Sequence, residues 1–84
     1  MKHHALPSFW KGYRQLDASL QALADKQFDL LENDPRHPSL HFKPVGKFWS
    51  ARIDRSHRCL AVRKGDDIVW FWIGGHAQYE KLIK

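Results

Sequence analysis

The stretch from Ile68 to Tyr79, Ile-Val-Trp-Phe-Trp-Ile-Gly-Gly-His-Ala-Gln-Tyr, constrains this chain more than any other. Its first six residues are apolar without a break, rich in β-branched and aromatic types and too short for an independent helix. They predict a central strand buried on both faces. Gly74 and Gly75 end the strand. The chain restarts at His76 as a short helix, Ala77 to Ile83, in which Tyr79, Leu82 and Ile83 fall together at helical spacing. His76 is thereby set at the end of a rigid strand and at the positive end of a helix, a position suited to a phosphate.

The remaining elements follow from spacing and punctuation. His3 and His4 belong to an expected mobile arm. Leu6-Pro7-Ser8 offers a helix start with Ser8 as cap, and Phe9, Tyr13 and Leu16 share one face of a short amphipathic helix. Asp17 caps a second, longer helix in which Leu20, Leu23, Ala24, Phe28 and Leu31 hold the apolar side, and Asn33-Asp34-Pro35 stops it. Leu40 to Lys43 reads as a short edge strand. Phe48 to Ile53 and His57 to Arg63 alternate as neighbouring strands around Asp54-Arg55-Ser56, and Lys64-Gly65-Asp66-Asp67 turns into the central strand. The sequence thus predicts a single α+β domain over residues 1–84. An N-terminal helical hairpin packs on one face of a three- or four-stranded antiparallel sheet, with a short C-terminal helix.

With 84 residues there is room for one core, and four tryptophans and five phenylalanines supply large burial per residue. Fourteen Lys and Arg against nine Asp and Glu give a formal charge of +5, which favours phosphate-rich polymers or an acidic protein as partner. A single cysteine, Cys59, cannot form an internal disulfide. No apolar run approaches a membrane span and the start lacks a signal peptide's apolar core, so a cytoplasmic protein with no membrane partner is expected.

If one sheet face carries the helices, the other is left for a ligand. Arg52 precedes the turn and Arg58 follows it, so the two stand opposite one another, an unfavourable juxtaposition unless an anion joins them. The competing reading makes Arg55, Arg58 and Arg63 solvated strand residues answered by Asp54, Asp66 and Asp67. His76 is likewise either a proton-transfer group or a local hydrogen-bonding residue. Tyr79, one turn on, either faces the same cleft or belongs to the core. His37 and His41 are separated by Pro38, and with His57 and Cys59 they make no zinc spacing, so neither a metal site nor a cofactor is expected. Trp49, Trp70 and Trp72 divide between base stacking and core.

Four segments together carry a resemblance. They are His37-Pro38-Ser39-Leu40-His41-Phe42-Lys43, Trp49-Ser50-Ala51-Arg52-Ile53, His57-Arg58-Cys59-Leu60-Ala61-Val62 and Trp70 to Tyr79. In their order and spacing they resemble the RelE/ParE superfamily of bacterial toxin–antitoxin toxins. The resemblance implies a compact type II toxin neutralised by a cognate antitoxin protein. Its RelE-like members are metal-independent endoribonucleases that cut messenger RNA on the ribosome, and its ParE-like members inhibit DNA gyrase; a module that only holds an antitoxin is a further alternative. It implies that Arg52 and Arg58 hold the scissile phosphate, that His76 or His37 moves the proton, that Tyr79 is the aromatic of the last helix, and that Lys43, Lys47, Arg55 and Arg63 extend a basic track along RNA. Ser50 stands where RelE has a lysine. No first strand is read ahead of the hairpin, so an open sheet edge with a groove for a partner segment is expected.

Overall fold

A computed structural model describes residues 1–84. The order of elements is β1 (Lys2–Ala5), α1 (Pro7–Arg14), α2 (Ala18–Asn33), a 3₁₀ turn (Pro38–Leu40), β2 (Lys43–Val45), β3 (Phe48–Asp54), β4 (His57–Lys64), β5 (Asp67–Gly75) and α3 (His76–Leu82). The strands form one five-stranded sheet in the order β1-β5-β4-β3-β2. β1 runs parallel to β5 and every other pair is antiparallel.

This corrects the expected fold on three points. The sheet is mixed and five-stranded rather than antiparallel with three or four strands, and the helical hairpin is not N-terminal because β1 precedes it. The arm expected to be mobile is that strand: Lys2 to Ala5 register with Asp67 to Trp70. Lys-His-His-Ala has no apolar alternation of its own, and its strand state comes from β5, whose Trp70 Nε1–H donates to His3 Nδ1 at 3.1 Å. β1 therefore occupies the edge beside β5 that was expected to stand open. Third, α1 and α2 cover one sheet face, whereas α3 turns back over the opposite one, where Tyr79 stacks on Trp72.

Local chemistry explains most boundaries. Asp17 caps α2 by accepting the Leu20 N–H at 2.8 Å, and α2 ends at Asn33, ahead of Pro35. Ser8 is not a cap; Leu6 holds that position and Pro7 begins α1. Ser8 Oγ instead donates to the Phe71 carbonyl at 2.7 Å. Phe71 is the extra residue of a β-bulge, since Leu60 pairs with Trp72 but Ala61 pairs with Trp70. The bulge sends Trp70 and Ile73, three apart, onto the helix-bearing face, where both are buried, and turns Trp72 to the other face. Strict alternation would have kept the two tryptophans together. β5 is thus buried on one face only, with Val69, Phe71 and Trp72 half-exposed, and β4 rather than β5 is the middle strand.

The expected strand at Leu40 to Lys43 is displaced to Lys43–Val45, though it is an edge as read, with Pro44 in it. Pro38 starts a 3₁₀ turn, and His37 caps it by accepting the Ser39 N–H. That turn drives Leu40 into the core and leaves His41 left-handed at φ 45°. The main core, between the sheet and α1 and α2, gathers Ala24, Leu31, Ala51, Ile53, Ile68 and Trp70 among others. Leu60, fully buried, and Tyr79, 7% exposed, lie outside it and are covered from the α3 side.

Candidate functional site

The β3–β4 hairpin sets the two arginines. Its link is a two-residue turn, Arg55-Ser56, and the extra residue Ile53 restores the register in which Arg52 and Arg58 are direct cross-strand partners. Their side chains leave the same face, together with Ser50, Leu60, Trp72 and Gly74 from the paired positions. That is the face away from α1 and α2.

Each arginine has its own support. Arg58 donates from Nη1 to the Asp54 and His57 carbonyls. Its guanidinium carbon lies 6.0 Å from the Tyr79 ring centroid. Tyr79 in turn stacks on Trp72 at 6.5 Å, and the His76 ring lies 5.6 Å from Tyr79 on its other contact. Gly74 makes this stack possible, because a Cβ there would stand 2.6 Å from Trp72 Cζ2. His76 remains 41% exposed, with Nδ1 3.4 Å from Glu80. Arg52 Nη1 points the other way, to His41 Nε2 at 3.4 Å.

No lysine or arginine forms an ion pair. The three ion-pair contacts all belong to histidines: His4 with Asp67, His57 with Asp54 and His76 with Glu80. The reading in which Asp54, Asp66 and Asp67 answer the arginines therefore does not describe this hairpin. Burial pushes the Asp54 carboxyl up, but hydrogen bonds from the His57 ring and the Ser56 N–H outweigh it and hold the carboxyl below its usual range. Two unneutralised guanidinium groups on neighbouring strands leave a surface with anion-binding capacity.

Of the candidate residues, Arg52, Arg58, His76 and Tyr79 share this face. Lys43 pairs with Ser50 at the β2 edge of it, Lys47 lies in the following turn with Nζ 5.6 Å from the Phe48 ring, and Arg55 is at the hairpin tip. Arg63 is not brought in: it pairs with Ile68, stacks over Trp49 at 5.7 Å and donates to Gly65 O. His37 lies on the α2 side. It lines an open groove of about 550 Å³ with Lys26, Ser39, Arg52 and Asp54, walled also by Leu23 and Leu30. The helix end is less available to an anion than expected, because the His76 N–H is already bound to the Ser56 carbonyl at 2.7 Å. His41, weighed in the sequence only as a metal ligand, is the residue that sequence reasoning missed; its left-handed backbone has no sequence signal.

No protein-family model and no curated protein matches the sequence. Solved structures do. YafQ from E. coli superimposes with a TM-score of 0.74 at 12% identity, covering 93% of this chain and 96% of that one. The chain is also similar to the RelB–RelE antitoxin–toxin complex from Methanococcus jannaschii, at a TM-score of 0.73 and 10% identity over 96% and 99% of the two chains. This is the RelE/ParE-like toxin fold. The YoeB/ParE toxin from Agrobacterium tumefaciens shares it at a TM-score of 0.67 and 20% identity, over 90% of this chain and 99% of that one. Within the RelE/ParE-like fold the arginine pair lies on the sheet face that α1 and α2 leave free, and α3 borders it.

Proposed function

We propose that this protein is the toxin of a type II toxin–antitoxin pair and acts as a ribosome-dependent, metal-independent endoribonuclease on messenger RNA in the cytoplasm. The observation that carries this reading is the cross-strand pair Arg52 and Arg58, with no carboxylate partner, in which Arg58 packs over Tyr79 and Tyr79 adjoins His76. Two guanidinium groups on one rigid hairpin suit a phosphodiester that gains charge in the transition state. In-line attack of the ribose 2′-hydroxyl needs one group to take a proton and another to return it. His76 reaches the Arg58 end through the shared Tyr79 ring, and His37 lines a groove with Arg52 and α2, so these two histidines are the candidates for proton transfer. Buried Tyr79 serves chiefly as the platform under Arg58, and Lys43, Lys47 and Arg55 continue the basic surface.

A protein partner is supported by a second feature. Leu6, Trp10 and Phe28 are exposed, and Trp10 and Phe28 border a cleft of about 190 Å³ between α1 and α2. The solved RelBE assemblies join this fold to an antitoxin, and an antitoxin is the partner proposed here. No helix is long and apolar enough to cross a membrane.

The test is a translation reaction sampled for transcript cut at codons, with wild type, Arg52→Ala and Arg58→Ala. Wild type is expected to cut, and each substitution to slow cutting by about ten- to a thousandfold. Intact transcript together with impaired supercoiling by gyrase would replace this reading with gyrase inhibition.

A further inference from the structure

One polar contact on the cationic face has no role in the scheme above. His41 Nε2 lies 3.4 Å from Arg52 Nη1. A guanidinium only donates, so Nε2 is the accepting nitrogen in this contact. His41 is also the sole non-glycine residue at positive φ, 45°, held there by the 3₁₀ turn through its N–H to the Pro38 carbonyl. A left-handed conformation is disfavoured for a side-chain-bearing residue, and such residues concentrate where a side chain must be aimed. His37 is differently employed. Its Nδ1 lies 2.9 Å from Ser39 Oγ and accepts the Ser39 N–H at 3.2 Å, so its ring closes its own turn.

We infer that His41 is a catalytic residue for RNA, the base that takes the ribose 2′-proton beside the phosphate held by Arg52; the inference rests on the ribonuclease reading. When Arg52 turns its N–H groups to a phosphate, the Nε2 lone pair is released next to it. The 2′ oxygen forms a bond to phosphorus as its proton passes to His41 Nε2. The bond from phosphorus to the 5′ oxygen breaks, its electron pair stays on that oxygen, and protonated His76 supplies the proton. The products are a 2′,3′-cyclic phosphate and a 5′-hydroxyl, with no co-reactant consumed. The imidazoles thus work from opposite ends of the arginine pair, His41 at Arg52 and His76 at Arg58.

The experiment is single-turnover cleavage of ribosome-bound messenger RNA by the full chain, with wild type, His41→Gly and His41→Asn, with and without added imidazole. Glycine and asparagine both suit the backbone of residue 41, so melting temperatures at or above wild type are expected for both substitutions there. His41→Gly is expected to cut about a hundredfold more slowly, and imidazole to recover about tenfold of that by entering the space left. His41→Asn stays slow with or without imidazole. Wild-type cleavage with an undiminished His41→Gly rate, or a defect that imidazole does not relieve, overturns the role of His41 alone. Transcript left intact by wild type overturns it together with the ribonuclease reading.

Discussion

Replacing His3 with alanine removes the side chain that ties the first strand to the sheet. Trp70 is 3% exposed, and its Nε1–H has His3 Nδ1 as acceptor at 3.1 Å. Truncation leaves that donor buried and unpaired, at a cost of about 1–3 kcal/mol. The imidazole also stacks on Trp70, with centroids 6.2 Å apart, and meets Phe28 edge-on at 5.7 Å. Those contacts add about 0.5–1.5 kcal/mol. His3 is only half-buried, so water reaches part of the space, and a total of about 2–3 kcal/mol is expected from the lower parts of both ranges. For a domain of this size that lowers the melting temperature by roughly 10–20 °C. His4→Ala is the control: its Asp67 contact joins groups 52% and 44% exposed and is worth about 0–1 kcal/mol. His3→Phe keeps the stacking but not the acceptor and should fall between the two. Burial holds the His3 pKa below its ordinary 6.5. The stabilising neutral form is therefore complete above that pH and is lost as pH falls through the lower folded value, so wild type should weaken on acidification more than His3→Phe does. Urea unfolding followed by tryptophan fluorescence measures all of this. Equal losses for His3→Ala and His4→Ala, within about 0.5 kcal/mol, would refute the reasoning.

Three further outcomes are expected. Gly74→Ala places a Cβ against the Trp72 ring, the movable part of a side chain, so thermal unfolding should show a loss of only about 1 kcal/mol; RNA cleavage should fall about tenfold as Trp72 leaves Tyr79 and Arg58 loses its platform. Asp54→Asn should flatten acid sensitivity: the folded carboxyl lies below its ordinary 3.8, so its contribution is present above that pH and is lost as pH falls through the folded value, which acid titrations of both proteins compare. Cys59 is buried and burial pushes its thiol up, so a thiol reagent should label it only as fast as the protein unfolds; rapid labelling of native protein would contradict that.

Much of the site was legible because it rests on short-range rules. Asp17 caps α2 and Asn33 ends it as read, since capping and proline act within a few residues. Arg52 and Arg58 pair as read, although by a two-residue turn and a bulge at Ile53 rather than a three-residue loop. The opposite facings of Trp70 and Trp72 were not legible, because the bulge between them depends on β4 and on Ser8 of α1. Nor was the contact of His41 with Arg52, which needs the 3₁₀ turn and the edge of β3 to meet.

The sequence by itself determined the extent of α2 and of the β3–β4 hairpin, and that this basic hairpin would adjoin His76, because apolar spacing, turn residues and caps exert their energies along a few neighbouring positions. Only the tertiary structure decided that Lys2 to Ala5 would be a strand, that α3 would cover the opposite face, and which histidines would flank the arginines. Those outcomes depend on partners distant in the chain, as with His3 and Trp70, 67 positions apart, whose mutual burial has no signature in either segment alone.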